Sequence, residues 1–141
     1  DVLQFTPYVP GRNTGTGTYD KFMQCDETFR TAICGAAKEY KDKYGEKLIV
    51  NSSLRSADDQ TALYQAWKDA GGDRNHPTVD TKYGRLSIPL QTPGNHGKGI
   101  AIDCPSSQMQ RMLDMGLFEK YGLQYLGPVK DPPHAQLGGL A

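Results

Sequence analysis

The sequence carries no excess of charge: 16 basic residues are balanced by 16 acidic ones over 141 positions. That balance removes the usual electrostatic ground for expecting nucleic acid or a polyanionic surface as a partner. Long apolar runs are also missing. None approaches the ~20 residues of a membrane span, so no membrane partner is expected, and no stretch has the layout of a signal peptide. Cysteine is scarce and odd in number, at Cys25, Cys34 and Cys104. With no Cys-x-x-Cys pair, a disulfide framework is not expected, and a metal–cysteine site still less. If Cys25 and Cys34 shared one helix, about 13 Å of rise would separate them, beyond bonding reach. All three are expected to be small buried hydrophobes. Repeats, low-complexity tracts and internal boundaries are absent too. The chain is therefore expected to be a single domain over 1–141, large enough for a real core. Because it starts at Asp1 rather than Met, a processed product or an excised domain is expected.

What is present reads as a mixture of helices and short strands. Residues 1–19, rich in Pro, Gly and Thr, form an expected irregular lead-in. From about Asp20 to Tyr44 the apolar residues Phe22, Cys25, Phe29, Ile33, Ala36, Ala37, Tyr40 and Tyr44 recur at helical spacing, and Gly45 is a natural stop. Leu48-Ile49-Val50 reads as a core strand that delivers Asn51 to Arg55 at its end. Ser56, with Asp58 and Asp59 behind it, starts a second helix that runs through Ala62, Leu63, Ala66 and Trp67 to Gly71-Gly72. Trp67 is expected in the core, and His76 in solvent. Residues 72–95 show little periodicity and are expected to wall a cleft. A strand at 99–103 follows, then a helix from about Ser106 to Met115 with Met109, Met112 and Leu113 inward. A turn over 118–123 leads to a strand near Gln124–Leu126, and a last strand carries His134 to Leu137.

The chemistry concentrates in Asn95-His96-Gly97-Lys98-Gly99-Ile100-Ala101-Ile102-Asp103. On a straight helix His96 and Asp103 would lie about 10 Å apart along the axis, too far to share an ion. The two glycines instead suggest a bend into a short buried strand that ends on Asp103 and returns its carboxylate toward the imidazole. Imidazole nitrogen and carboxylate oxygen suit zinc, although this donor set also accepts other divalent ions. Asp131-Pro132-Pro133-His134 offers a third ligand in His134, on a segment able to pair with the 103 strand. Three protein ligands would leave one position for water, as in a hydrolytic rather than a structural site. Asp131 is placed to act as the base such a reaction needs. Arg55 is the candidate donor to a developing oxyanion.

Taken together, Ser52-x-x-Arg55-Ser56 with Gln60 downstream, His96-x-x-Gly99-x-Ala101-x-Asp103 and Asp131-x-x-His134 resemble the zinc peptidases that cut peptidoglycan stem peptides. These are the D-Ala-D-Ala carboxypeptidases and the phage or bacterial L-Ala-D-Glu endopeptidases, which share a fold with the hedgehog signalling domain. The ordered motifs span roughly residues 47–137. The resemblance implies an α+β fold whose small antiparallel sheet carries the metal, with helices packed on one side. It implies His96, Asp103 and His134 as zinc ligands, Asp131 as general base, Arg55 on the substrate carbonyl or oxyanion, and Gln60 as a substrate contact. Asp131, where many carboxypeptidase relatives have Glu, tilts the expectation toward the endopeptidase branch met in phage lysins. Two positions depart from the pattern: Gly94 stands where Ser is common, and Ala135 where an aromatic is.

The expected protein is thus a cell-wall-facing zinc metallopeptidase, secreted or phage-encoded and released at lysis or virion-associated. It is expected to act as a monomer on peptidoglycan peptides. Two rivals remain: a D-Ala-D-Ala carboxypeptidase, and a non-catalytic zinc-stabilised wall-binding or virion module. At the level of single residues, Asp103 has the alternative of capping the helix near Ser106, Asp131 of starting a turn, Arg55 of a structural ion pair, and Gln60 of a solvated helix position.

Overall fold

A computed structural model describes residues 1–87, 98–125 and 133–138. In chain order the elements are β1 (Leu3–Phe5), α1 (Tyr19–Met23), α2 (Glu27–Tyr44), β2 (Leu48–Val50), α3 (Ala57–Asp69), β3 (Thr78–Thr81), β4 (Gly84–Ser87), β5 (Ala101–Asp103), α4 (Ser106–Asp114), α5 (Leu117–Lys120), β6 (Leu123–Tyr125) and β7 (His134–Leu137). This is a mixed α+β architecture with small sheets.

Helical periodicity buries Phe29, Ile33, Ala36, Ala37 and Tyr40 along α2, and Gly45 ends it with φ 70° and its N–H on Lys41 O at 2.7 Å. The expected single helix over 20–44 is, however, broken. Asp26 takes an extended conformation, and its carboxylate accepts the Phe29 N–H at 3.0 Å, capping α2. The Asp26 N–H turns instead to Gly99 O at 2.9 Å. A local cap and a distant carbonyl together outcompete two more turns of helix. Cys25 lies buried in the break.

The lead-in is also more ordered than its composition implies. β1 pairs in parallel with β2, Leu3 opposite Leu48 and Phe5 opposite Val50. Behind it, Thr6 N bonds Gly17 O at 2.8 Å, and a Cβ on Gly17 would fall 2.6 Å from Asn51 O. The lead-in therefore lies directly on the chain leaving β2. An antiparallel three-stranded sheet in the order β5-β7-β6 follows, joined to the end of β2 by an isolated bridge between Ser52 and Asp103.

α2, β2, α4, α5 and the inner face of the sheet close on one core, with Tyr40, Phe29, Ile33, Leu48, Ile102, Met109, Met112 and Leu117 almost wholly buried. Leu113, expected inward, is 40% exposed. The buried stripe of α4 is centred on Gln108, Met109 and Met112, which leaves Leu113 about 90° off its axis at 3.6 residues per turn. Gln108 earns an inside position because its amide serves two backbone groups, Ile49 N at 2.9 Å and Lys47 O at 3.0 Å. The turn expected over 118–123 holds the short helix α5, and the strand after it ends at Tyr125 among the described residues.

α3 follows the expected start, with Ser56 and Asp59 forming a reciprocal capping box. Its buried face carries Gln60, Leu63, Ala66 and Trp67, and Trp67 Nε1 donates to Pro77 O at 2.9 Å. The segment read as aperiodic contains a hairpin: β3 and β4 pair antiparallel across Lys82 and Tyr83, with Gly84 at φ 98°. Only Val79 opposite Leu86 gives it an apolar rung, too little for a visible alternation. Its other rungs are polar, including the Arg85–Asp80 pair at 2.9 Å. Residues 88–95, the rest of the expected cleft wall, lie outside the described residues.

Cys25, Cys34 and Cys104 are free thiols; Cys25 and Cys104 are buried and Cys34 is half-buried. His76 is solvent-facing, its ring 3.1 Å from Asp73. Among the described residues no helix is long and apolar enough to cross a membrane.

Candidate metal centre

The period of two along a strand decides which side chains can meet. In the β5–β7 register Asp103 stands opposite His134 and Ile102 opposite Ala135, while β6 sets Gln124 opposite Gln136. Ile102 and Ala135 are fully buried in the core. Asp103, His134, Gln136 and Gln124 therefore share the other face. The result is a polar patch on the reverse of an apolar sheet.

Within it His134 Nδ1 lies 3.2 Å from Asp103 Oδ1. The second oxygen, Oδ2, accepts from Arg55 Nη2 at 3.1 Å, and Arg55 Nε reaches Ser52 Oγ at 3.1 Å. Ser52 in turn accepts from Thr16 Oγ1 at 3.0 Å. Its backbone carbonyl receives the Asp103 N–H at 2.8 Å. Arg55 is thus anchored at the base of the carboxylate it neutralises, with the two side chains only about a fifth exposed, Arg55 at 21% and Asp103 at 19%. The ion-pair alternative for Arg55 is realised. The capping alternative for Asp103 is not: Pro105 occupies the N-cap of α4, without a side-chain cap.

Entry to β5 depends on Gly99. Its φ of 71° is one that L side chains rarely adopt, and a Cβ there would sit 3.1 Å from Cys25 Cα and 3.3 Å from Asp26 N. The same residue's carbonyl holds the α1–α2 break. Gly99→Ala is expected to cost about 1–3 kcal/mol through backbone strain and the lost close approach, read as a lower midpoint of thermal or urea unfolding.

Cys104, next to Asp103, turns into the core. Complete burial, reinforced by the Asp103 charge, pushes its thiol well above the ordinary cysteine range. It is therefore a packed apolar group rather than a thiolate ligand, as the sequence reading expected.

Asp103 and His134 are donors of the kinds zinc accepts, and their separation is compatible with a shared ion as well as with a direct hydrogen bond. Two ligands at about 2.05 Å on a tetrahedral ion stand ~3.3 Å apart, close to the 3.2 Å between Asp103 Oδ1 and His134 Nδ1. Arg55 on the outer oxygen is the kind of partner that orients a coordinating carboxylate. The third expected ligand, His96, lies outside the described residues, as do Asp131 and Gly94. Among the described residues no group of three or more His, Cys, Asp and Glu side chains gathers around one point. The structure thus brings Asp103, His134 and Arg55 together. Gln60, at 4% exposure, is buried on α3 rather than solvated.

Sequence reasoning gave no role to Thr16, Gln124 and Gln136, and none to Ser52 beyond its place in a motif. The signal for Gln136 was there, since it follows His134 by two residues on a strand. Thr16 and Gln124 meet the site only through tertiary pairing. No family model matches the chain, and no curated protein matches it in sequence.

Proposed function

We propose that this chain is a zinc-dependent peptidase of peptidoglycan stem peptides, of the L-Ala-D-Glu endopeptidase type, with the hedgehog-like fold of the D-Ala-D-Ala peptidases. The observation that carries the reading is the facing of Asp103 and His134 across β5 and β7 at ligand spacing, with Arg55 behind the carboxylate. His96, Asp103 and His134 would hold the ion. When bound, zinc supplies a Lewis acid that polarises a carbonyl and acidifies a water.

The remaining work falls to side chains. Asp131 takes the proton of the attacking water and returns it to the leaving amine. Arg55 has five N–H donors in a fixed fork. Nε and Nη2 grip Ser52 and Asp103, and the Nη1 side is turned to the substrate oxygen in this role. The protein would work as a monomer at the cell wall, as secreted and phage-encoded lytic enzymes do.

Digestion of purified peptidoglycan, followed by mass spectrometry, tests this. Products ending at L-Ala with new amino groups on D-Glu, lost on chelation and restored by zinc, are expected. Loss of terminal D-Ala alone would move the assignment to a carboxypeptidase, and wall binding without any new amino group would leave a binding module.

Arg55→Lys separates the two duties of the guanidinium. A lysine ammonium cannot span Ser52 and Asp103 as the planar fork does. Zinc affinity is expected to fall by about 10-fold or more, the scale of lost outer-shell partners, as read by titration with zinc alone.

A further inference from the structure

Arg55 is held at two points: Nη2 donates to Asp103 Oδ2 and Nε to Ser52 Oγ, each at 3.1 Å. The contact at Nη2 alone would let the guanidinium swing about that bond on its flexible stem. Two contacts on one planar group fix its plane, and with it the direction of the N–H donors that remain. The second point is only as firm as the Ser52 hydroxyl, whose oxygen has three staggered positions about one torsion.

The lead-in makes that choice. Thr16 Oγ1 lies 3.0 Å from Ser52 Oγ, and both residues are buried, Thr16 at 6% and Ser52 at 5% exposure. At such burial no solvent replaces the partner if either hydroxyl turns away. Thr16 is itself fixed through its backbone, since its carbonyl accepts the Ser53 N–H at 2.8 Å and the Ser53 hydroxyl at 3.0 Å. Beside it a Cβ on Gly17 would fall 2.6 Å from Asn51 O, and Thr6 Oγ1 donates to Val50 O at 2.7 Å. Thr6, Thr16 and Gly17 thus lie along residues 50–53, and the Thr16 hydroxyl reaches the group that holds Arg55.

We propose that Thr16, acting through Ser52, is a positioning residue for Arg55, so that the lead-in sets the direction of the guanidinium donors that face substrate. Neither hydroxyl is a catalytic residue; each acts through the guanidinium. The consequence for catalysis rests on the proposed peptidase, whereas the fixing of the guanidinium belongs to the chain without metal or substrate and is measured there.

The test uses the ¹⁵N-labelled full chain, treated with chelator, and the exchange of arginine Nε–H protons with water. The Arg55 signal is identified by its loss in Arg55→Lys, and the exposed Arg12 and Arg74 serve as references. The Arg55 Nε–H is expected to exchange about 10-fold more slowly than theirs, the scale of one net hydrogen bond. Ser52→Ala should bring it to the reference rate, and Thr16→Val should speed it in the same direction. Thr16→Ser, which keeps the hydroxyl, should restore slow exchange. Thr16→Val keeps the backbone contacts to Ser53, so its fold should survive. With zinc and peptidoglycan supplied, Ser52→Ala should lower kcat by up to about 100-fold, the cost of a misplaced group, with little change in KM. Thr16→Val should lower kcat less, and Thr16→Ser should recover it. A merely structural threonine would alter the melting temperature without moving the exchange rate or kcat. The proposal is overturned if the wild-type Arg55 Nε–H exchanges as fast as the references, or if Thr16→Val leaves its exchange unchanged. It is equally overturned if Thr16→Val frees that proton in a chain whose kcat stays at the wild-type value. Slow exchange that Thr16→Val abolishes, in a chain that cleaves no peptidoglycan, would instead remove the peptidase reading and leave the fixing of Arg55 by Thr16 standing.

Discussion

His134→Ala is expected to abolish zinc binding and peptidoglycan cleavage together while leaving the chain folded. The imidazole is one of only three expected protein ligands, so its loss opens the shell and removes several kcal/mol of transition-state stabilisation, about 10³-fold or more in rate. Folding should survive because Asp103 keeps Arg55 as its counter-ion at 3.1 Å, so no uncompensated charge is left behind. A stability change of about 1 kcal/mol is expected, the ordinary cost of a single substitution. Metal analysis, muropeptide release and thermal unfolding on one preparation make the comparison. Undiminished cleavage by a zinc-free variant would end the zinc-dependent assignment. His96→Ala should behave alike, since both imidazoles would serve the same ion.

Asp131→Ala should give the opposite dissociation: zinc retained, catalysis lost. A positioned general base contributes about 10²–10⁴-fold, and the fall should appear in kcat with little change in metal content. This variant separates an enzyme from a metal-stabilised binding module, in which the substitution would have no activity to remove. Full cleavage by Asp131→Ala would place the base elsewhere. If Asp131 were instead a fourth ligand, zinc affinity would fall with activity, and the titration would reveal it.

Local order was legible where chemistry and periodicity agree. The α2 stripe, its Gly45 stop, the Ser56 cap of α3 and the strand carrying His134 all follow from spacing and capping chemistry within a few residues. The sequence reading failed where a distant group competes with a local preference. Asp26 leaves the helical ladder because Gly99 O offers its N–H a partner 2.9 Å away, and no window around Asp26 contains Gly99. The β1 strand was hidden for the same reason, since Leu3 to Phe5 become a strand only when Leu48 to Val50 lie alongside. The β3–β4 hairpin escaped because it is mostly polar and rests its stability on pairing rather than on an apolar face.

The candidate site divides along the same line. Residue types and their order along the chain determined which groups could act: Asp103, His134 and Arg55 were picked out as acid, imidazole and cation before any fold was in view. Their mutual geometry came only with tertiary structure. A strand register fixes which side chains share a face, and a one-residue slip of β7 would have set Ala135 against Asp103 and buried the imidazole in the core. The bridge from Ser52 to Asp103 swings Arg55 onto the outer carboxylate oxygen, and the register of β6 brings Gln124 behind Gln136. Such pairings depend on hydrogen bonds between segments distant in sequence, so side-chain chemistry could nominate the participants while the assembled sheet alone decided which atoms face each other.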